Sequence, residues 1–138
     1  FSITMEQALD FIIDCTINGK SSEIYVPKLK AYSILDVKDA LFDLIKKTDF
    51  DVVGIRPGEK LHETLINSEE IRNSWDLENK FMISNPSKND EEIVRSYEQN
   101  IKKIENIDEY SSKIAERHTK DELIEIIEKS NLLNHKDD

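Results

Sequence analysis

Arg56-Pro57-Gly58-Glu59 is the place in the chain where residue types and spacing could do selective chemistry. A guanidinium is a planar, permanently charged fork for phosphate oxygens. A carboxylate three residues later can accept hydrogen bonds from both hydroxyls of a ribose. Proline presets the second position of a tight turn and glycine admits a positive φ at the third, so the corner between them fixes their separation. Together the two side chains suit a nucleoside diphosphate. The same pair could also form no more than a surface ion pair at a turn, and the residue types alone leave that plainer reading open.

Other chemistries are poorly provided for. The single cysteine, Cys15, excludes an intrachain disulfide framework and a CxxC metal knuckle, and its apolar helical setting predicts a small buried hydrophobe. His62, His118 and His135 are far apart and none has HxxxH spacing, so no metal site is expected. The three glycines (Gly19, Gly54, Gly58) write no GxGxxG turn, which a dinucleotide site needs for close approach of backbone to pyrophosphate. None of Tyr25, Tyr32, Tyr97 and Tyr110 is followed by lysine four residues later, and no GxSxG elbow or P-loop occurs. No catalytic residue can therefore be assigned in the chain, and no cofactor is expected to be held by it alone.

Charge sets a further bound. The 138 residues carry 19 Lys+Arg against 29 Asp+Glu, a formal net charge of −10. Residues 1–68 hold 8 basic and 11 acidic side chains and residues 69–138 hold 11 and 18, so most of the surplus lies after the Arg56 turn. Nucleic acid and anionic membranes both require a basic face and are not expected partners. With no apolar run near 18 residues and no basic segment leading into an apolar one, the chain reads as soluble and cytoplasmic.

The elements that must position the turn follow from capping and periodicity. Thr4 with Gln7 opens a helix over 4–18 that Gly19 should end with a positive φ, and Ser33 with Asp36 opens another over about 34–47. Glu23–Val26 is β-branched and aromatic and predicts a strand stopped by Pro27; Asp51–Ile55 predicts the strand that delivers Arg56. A helical turn at Leu61–Glu63, a strand at Thr64–Ile66, a short helix at Ser68–Asn73 and a strand at Lys80–Ser84 follow, with Trp75 expected in the core or at a lobe interface. Ile93, Tyr97, Ile101 and Ile104 predict a helix over 90–104, the polar stretch 105–118 is left irregular, and Thr119 with Glu122 caps a last helix before a frayed tail at 134–138. Residues 1–84 then form the lobe carrying the turn, and 85–138 a helical extension packed on it. The fold class is α/β, or α+β as an isolated segment, with too few strands for a complete doubly wound sheet.

In four blocks the chain resembles the C-terminal part of the UDP-N-acetylglucosamine 4,6-dehydratases, extended Rossmann-type short-chain dehydrogenase/reductases of surface-polysaccharide synthesis. Phe1-Ser2-Ile3-Thr4 is similar to that family's helix start, and Glu23-Ile24-Tyr25-Val26-Pro27-Lys28 to its Ile-Phe-Val-Pro-Lys strand. Arg56–Glu63 is similar to its RPGEKLHE signature, the most specific of the four. Glu109-Tyr110-Ser111-Ser112 with Thr119-Lys120-Asp121-Glu122-Leu123 resembles its closing segment, except that Lys113-Ile114 stands where an Asp/Asn-rich pair is common.

The resemblance implies a substrate-binding lobe lacking its nucleotide-cofactor lobe. Arg56 is then placed on the diphosphate of a UDP-sugar, Glu59 on the uridine ribose and Lys28 beside the uridine or the phosphates, while His62 and Glu63 pack or cap. It implies a lyase that uses NADP in the complete enzyme, dehydrating the hexose and in some members epimerising C5, with every catalytic group in the missing Rossmann lobe. The expected partners are the UDP-sugar, that lobe and a possible second copy of the chain. The alternative is a stand-alone, non-catalytic UDP-sugar-binding or interaction module.

Overall fold

The computed structural model describes residues 1–97 and 101–130; the tail expected to fray lies outside them. Mixed helix and sheet is observed, as expected. The helices are α1 (Met5–Asn18), α2 (Ile34–Leu44), α3 (Asp90–Ser96) and α4 (Lys120–Lys129). The strands are β1 (Ile24–Pro27), β2 (Thr64–Ile66), β3 (Ser74–Asp76), β4 (Lys80–Ile83), β5 (Lys102–Lys103) and β6 (Tyr110–Ser111).

Each of these helices opens on a reciprocal capping box: Thr4 with Gln7, Ser33 with Asp36, Asn89 with Glu92 and Thr119 with Glu122. In each, a side-chain oxygen satisfies an N–H that the first helical turn cannot. The helix ends differ from expectation. Gly19 closes α1 at φ −71°, an ordinary value, and is required for another reason: a Cβ there would meet the Cys15 carbonyl oxygen at 2.2 Å. Cys15 itself is only half-buried, because the body of α1 has no buried residue.

The main sheet is antiparallel in the order β1-β4-β3-β5, and β2 pairs with β6. Pro27 ends β1 on the sheet's edge, where a missing N–H leaves no ladder bond unmade. Side chains along β4 alternate between two clusters. Phe81 and Ile83 join Val26, Ala31, Ile66 and Tyr110, whereas Met82 joins Trp75, Leu77 and Ile93. A third cluster pairs α2 with α4 through Ala40, Leu123 and Ile127. Trp75 is therefore a core residue, 3% exposed.

Several expectations are corrected. Asp51–Ile55 is not a strand: no described strand pairs with it, and Val52 and Val53 are each 78% exposed. A β-branched run has the propensity, but a strand exists only with a ladder partner. The helix expected over 90–104 stops at Ser96; Tyr97 is extended, and Lys102–Lys103 pairs with Asp76 and Trp75 as β5. The stripe is real but split, since Tyr97 and Ile101 pack on the Trp75 cluster and Ile104 on the other. β3 and β6, too short to show periodicity, were not expected. The helix expected at 68–73 is a single 3-10 turn over Glu70–Asn73. β5 and β6 thus weave residues beyond 84 into sheets begun before it.

Candidate functional site

The Arg56 turn is built by its own sequence. The Glu59 N–H donates to the Arg56 carbonyl at 3.0 Å, closing a four-residue turn with Pro57 second and Gly58 third at φ +90°. That is the type II pattern, in which the third residue needs a positive φ. The Glu59 carboxylate folds back and accepts the Arg56 backbone N–H through Oε2 at 2.9 Å. The plainer ion-pair reading therefore describes a contact this geometry does not make. Among the described residues the Arg56 guanidinium has no ion pair or hydrogen bond, and residues 45–61 are exposed throughout.

Lys28 stands elsewhere in the network. Its Nζ donates to Asp76 Oδ1 at 2.6 Å and to the Glu78 carbonyl at 2.8 Å, and lies 4.9 Å from the centre of the Phe81 ring. The Asp76 carboxylate also accepts the Glu78 N–H, holding the β3–β4 turn. Among the described residues no contact joins Lys28 to Arg56 or Glu59. Arg56 and Glu59 are brought together, and Lys28 is tied to the main sheet.

The exit of the turn is held from far along the chain. Ser112 donates its N–H to the Glu63 carbonyl at 2.8 Å, and its Oγ accepts the Glu63 N–H at 3.1 Å. The His62 ring reaches the same Oγ through Nδ1 at 3.4 Å. The expected helical turn at Leu61–Glu63 is replaced by this arrangement. The only sequence signal for Ser112 is its place in the closing block, since its partners lie about fifty residues away.

A separate cleft of about 410 Å³ is lined by Asp14, Tyr25, Lys80 and Tyr97 among others. Its polar groups satisfy one another: the Tyr25 and Tyr97 hydroxyls share Glu23, and Lys80 pairs with Asp14. Burial, and then the Glu23 carboxylate, push the Tyr97 phenol far above its usual range. Among the described residues no three His, Cys, Asp or Glu side chains group as metal ligands. Gly19 ends a helix and Gly54 and Gly58 lie in an open loop, so none of the three opens a strand-to-helix phosphate turn. No described helix is long and apolar enough to cross a membrane.

Residues 1–85 match the profile of the family described as "Polysaccharide biosynthesis protein". The chain is 32% identical to a UDP-N-acetylglucosamine 4,6-dehydratase (inverting) of Campylobacter jejuni over 84 residues, 61% of this chain and 24% of that protein. It is 26% identical to a UDP-glucose 4-epimerase of Rickettsia rickettsii over 128 residues, 92% of this chain and 37% of that one. The X-ray structure of Pen from Bacillus thuringiensis superposes with a TM-score of 0.74 at 25% identity, covering 96% of this chain and 39% of that one. The chain thus spans between 24% and 39% of the length of these relatives.

Proposed function

We propose, given that the chain belongs to the polysaccharide biosynthesis protein family, that it is the substrate-gripping part of a short-chain dehydrogenase/reductase acting on a UDP-sugar. The observation that carries this reading is the Arg56 turn: a guanidinium without an internal partner among the described residues, on a corner whose own backbone is satisfied by Glu59. Arg56 neutralises and orients the diphosphate. Glu59 keeps one carboxylate oxygen bonded to the Arg56 N–H and turns its remaining acceptor capacity to the ribose hydroxyls. Lys28 joins them by exchanging Asp76 for a phosphate oxygen.

The remainder of such an enzyme carries NADP and the groups that do the chemistry, since this chain's glycines do not suit a dinucleotide. It also covers apolar surface that this chain leaves bare, including Met5, Leu9, Ile12, Ile13 and Ile17 along α1 and the run at 52–55. Within the reading, 4,6-dehydration of UDP-N-acetylglucosamine is favoured by the higher identity to the dehydratase. Epimerisation at C4 is the second reading, favoured by an alignment that runs through the C-terminal stretch.

Calorimetric titration of the full chain with UDP tests the grip. The parent should bind, and Arg56→Ala should weaken binding by about tenfold or more, the worth of a charge-assisted bond. No binding, or equal binding by the variant, overturns the reading. Incubating the intact protein with NADP and either UDP-N-acetylglucosamine or UDP-glucose then separates a 4-keto-6-deoxy product from a C4 epimer.

A further inference from the structure

The closing tripeptide Tyr110-Ser111-Ser112 touches both segments that carry candidate substrate contacts. At one end the Tyr110 hydroxyl donates to the Leu29 carbonyl at 2.9 Å, one residue beyond Lys28. The Tyr110 ring is buried edge-on against Phe81 at 4.7 Å, so this end is fixed by the core. At the other end Ser112 takes both backbone groups of Glu63, the last residue of the signature. Between them Tyr110 and Ser111 pair with Ile66 and Thr64.

What makes this more than an ordinary ladder is the state of the Arg56 loop. Residues 51–61 are exposed, and among the described residues the hydrogen bonds that leave segment 51–63 are those of His62 and Glu63 to Ser112. Upstream of the loop Phe50 packs edge-on against Phe42 of α2 at 6.0 Å; downstream, the hydrogen bonds to Ser112 set where the turn exits into β2. Losing the Ser112 hydroxyl releases the Glu63 N–H and the His62 ring together, while the Ser112 N–H bond to Glu63 remains.

We propose that Ser112 is a positioning residue for the anion-binding turn, and that Tyr110–Ser112 is the strap that sets Arg56 and Glu59 relative to the Lys28 segment. This rests on the reading of Arg56 as a diphosphate contact. Ser112 touches no phosphate itself. It acts by narrowing the places the Arg56 fork can occupy, so less freedom is lost when ligand binds.

The test is UDP titration of the full chain as parent, Ser112→Ala, Ser112→Thr, Arg56→Ala and the Ser112→Ala/Arg56→Ala double variant, each with its thermal unfolding midpoint. Ser112→Ala should bind about tenfold more weakly, the loss of about one hydrogen bond's worth of order. Ser112→Thr, which keeps the hydroxyl, should recover most of that affinity. The losses in the double variant should be less than additive, because with Arg56 gone the strap has only Glu59 left to position. Amide exchange at Glu63 should quicken in Ser112→Ala and not in Arg56→Ala. A parent that binds UDP while Ser112→Ala binds as tightly, or effects that simply add in the double variant, overturns the positioning role alone. A parent that fails to bind UDP overturns the site reading and the positioning role with it. If Ser112→Ala does not fold, His62→Ala replaces it, with a smaller loss of affinity expected and an unchanged affinity counting against the strap.

Discussion

Glu59 accepts a hydrogen bond from the backbone N–H of Arg56 at 2.9 Å and forms no ion pair or hydrogen bond with the Arg56 guanidinium. Two oppositely charged side chains three residues apart would ordinarily be read as a pair, yet here the carboxylate serves the backbone. Its effect is to leave the guanidinium without an ion pair or hydrogen bond among the described residues.

Gly58→Ala should therefore damage binding more than folding. At φ +90° a Cβ costs about 1–2 kcal/mol, although nothing lies within 4 Å of where it would stand. The exposed turn can relax out of that conformation, so the expected outcome is UDP binding weakened by up to about tenfold with an unfolding midpoint lowered by no more than that strain, read by calorimetry and thermal melts on the same samples. Unchanged affinity would show that the turn's conformation is not what the ligand meets.

Lys28 and Asp76 give a pair of opposed expectations. Lys28→Ala should lower UDP affinity by about threefold, the scale of a partly exposed charge contact. Asp76→Asn, which frees the ammonium from its carboxylate, should leave affinity equal or raised. Both are read in the same titration, and a fall in affinity for Asp76→Asn would make the Lys28–Asp76 pair structural only.

Acid should loosen the junction between the N-terminal segment and α4. The Lys30 ammonium, and next the Thr119 N–H, hold the Glu122 carboxyl at about 2, against an ordinary 4.5. A carboxylate depressed in the folded state stabilises it fully above the unfolded pKa and loses that contribution as pH falls through the folded one. Urea midpoints of the parent and Glu122→Gln should thus differ at pH 7 and converge between about pH 4.5 and pH 2. A constant difference across that window would sink the assignment.

The tyrosines make the opposite prediction in alkali. Burial raises the phenols of Tyr25, Tyr97 and Tyr110 above 10, and the Glu23 carboxylate adds to this at Tyr25 and Tyr97. A phenol kept neutral in the folded state stabilises it below the unfolded pKa, and that contribution fades as pH rises beyond about 10. Phenolate absorbance from these three should appear together with loss of circular dichroism, and Glu23→Gln, which removes one cause of the rise at Tyr25 and Tyr97, should bring phenolate absorbance in at lower pH.

Gly19→Ala should destabilise the chain by about 1–3 kcal/mol, since the added methyl meets a backbone oxygen that cannot swing aside. Urea denaturation reads this directly. A neutral result would mean that α1 ends with more slack than the contact allows.

Much of this protein is decided within four residues of chain. The capping boxes at Thr4, Ser33 and Thr119 are legible because a cap and its partner are sequence neighbours, and the Arg56–Glu59 corner is legible because proline fixes its own φ and glycine admits a positive one. That is why helix starts and the candidate site could be read without a structure. Helix ends were less legible: Gly19 answers to the Cys15 carbonyl and not to its own φ, and the 90–104 stripe broke where β3 offered Lys102 and Lys103 a ladder.

What the tertiary structure alone decided is pairing across distance. Asp51–Ile55 has strand propensity and finds no partner among the described residues, whereas the polar Tyr110–Ser111 becomes a strand because β2 lies beside it. The bond between Ser112 and Glu63 spans 49 positions and leaves no periodic trace in the sequence. A turn is a property of its own dihedrals, but a ladder is a property of two segments, and only the folded chain says which two meet.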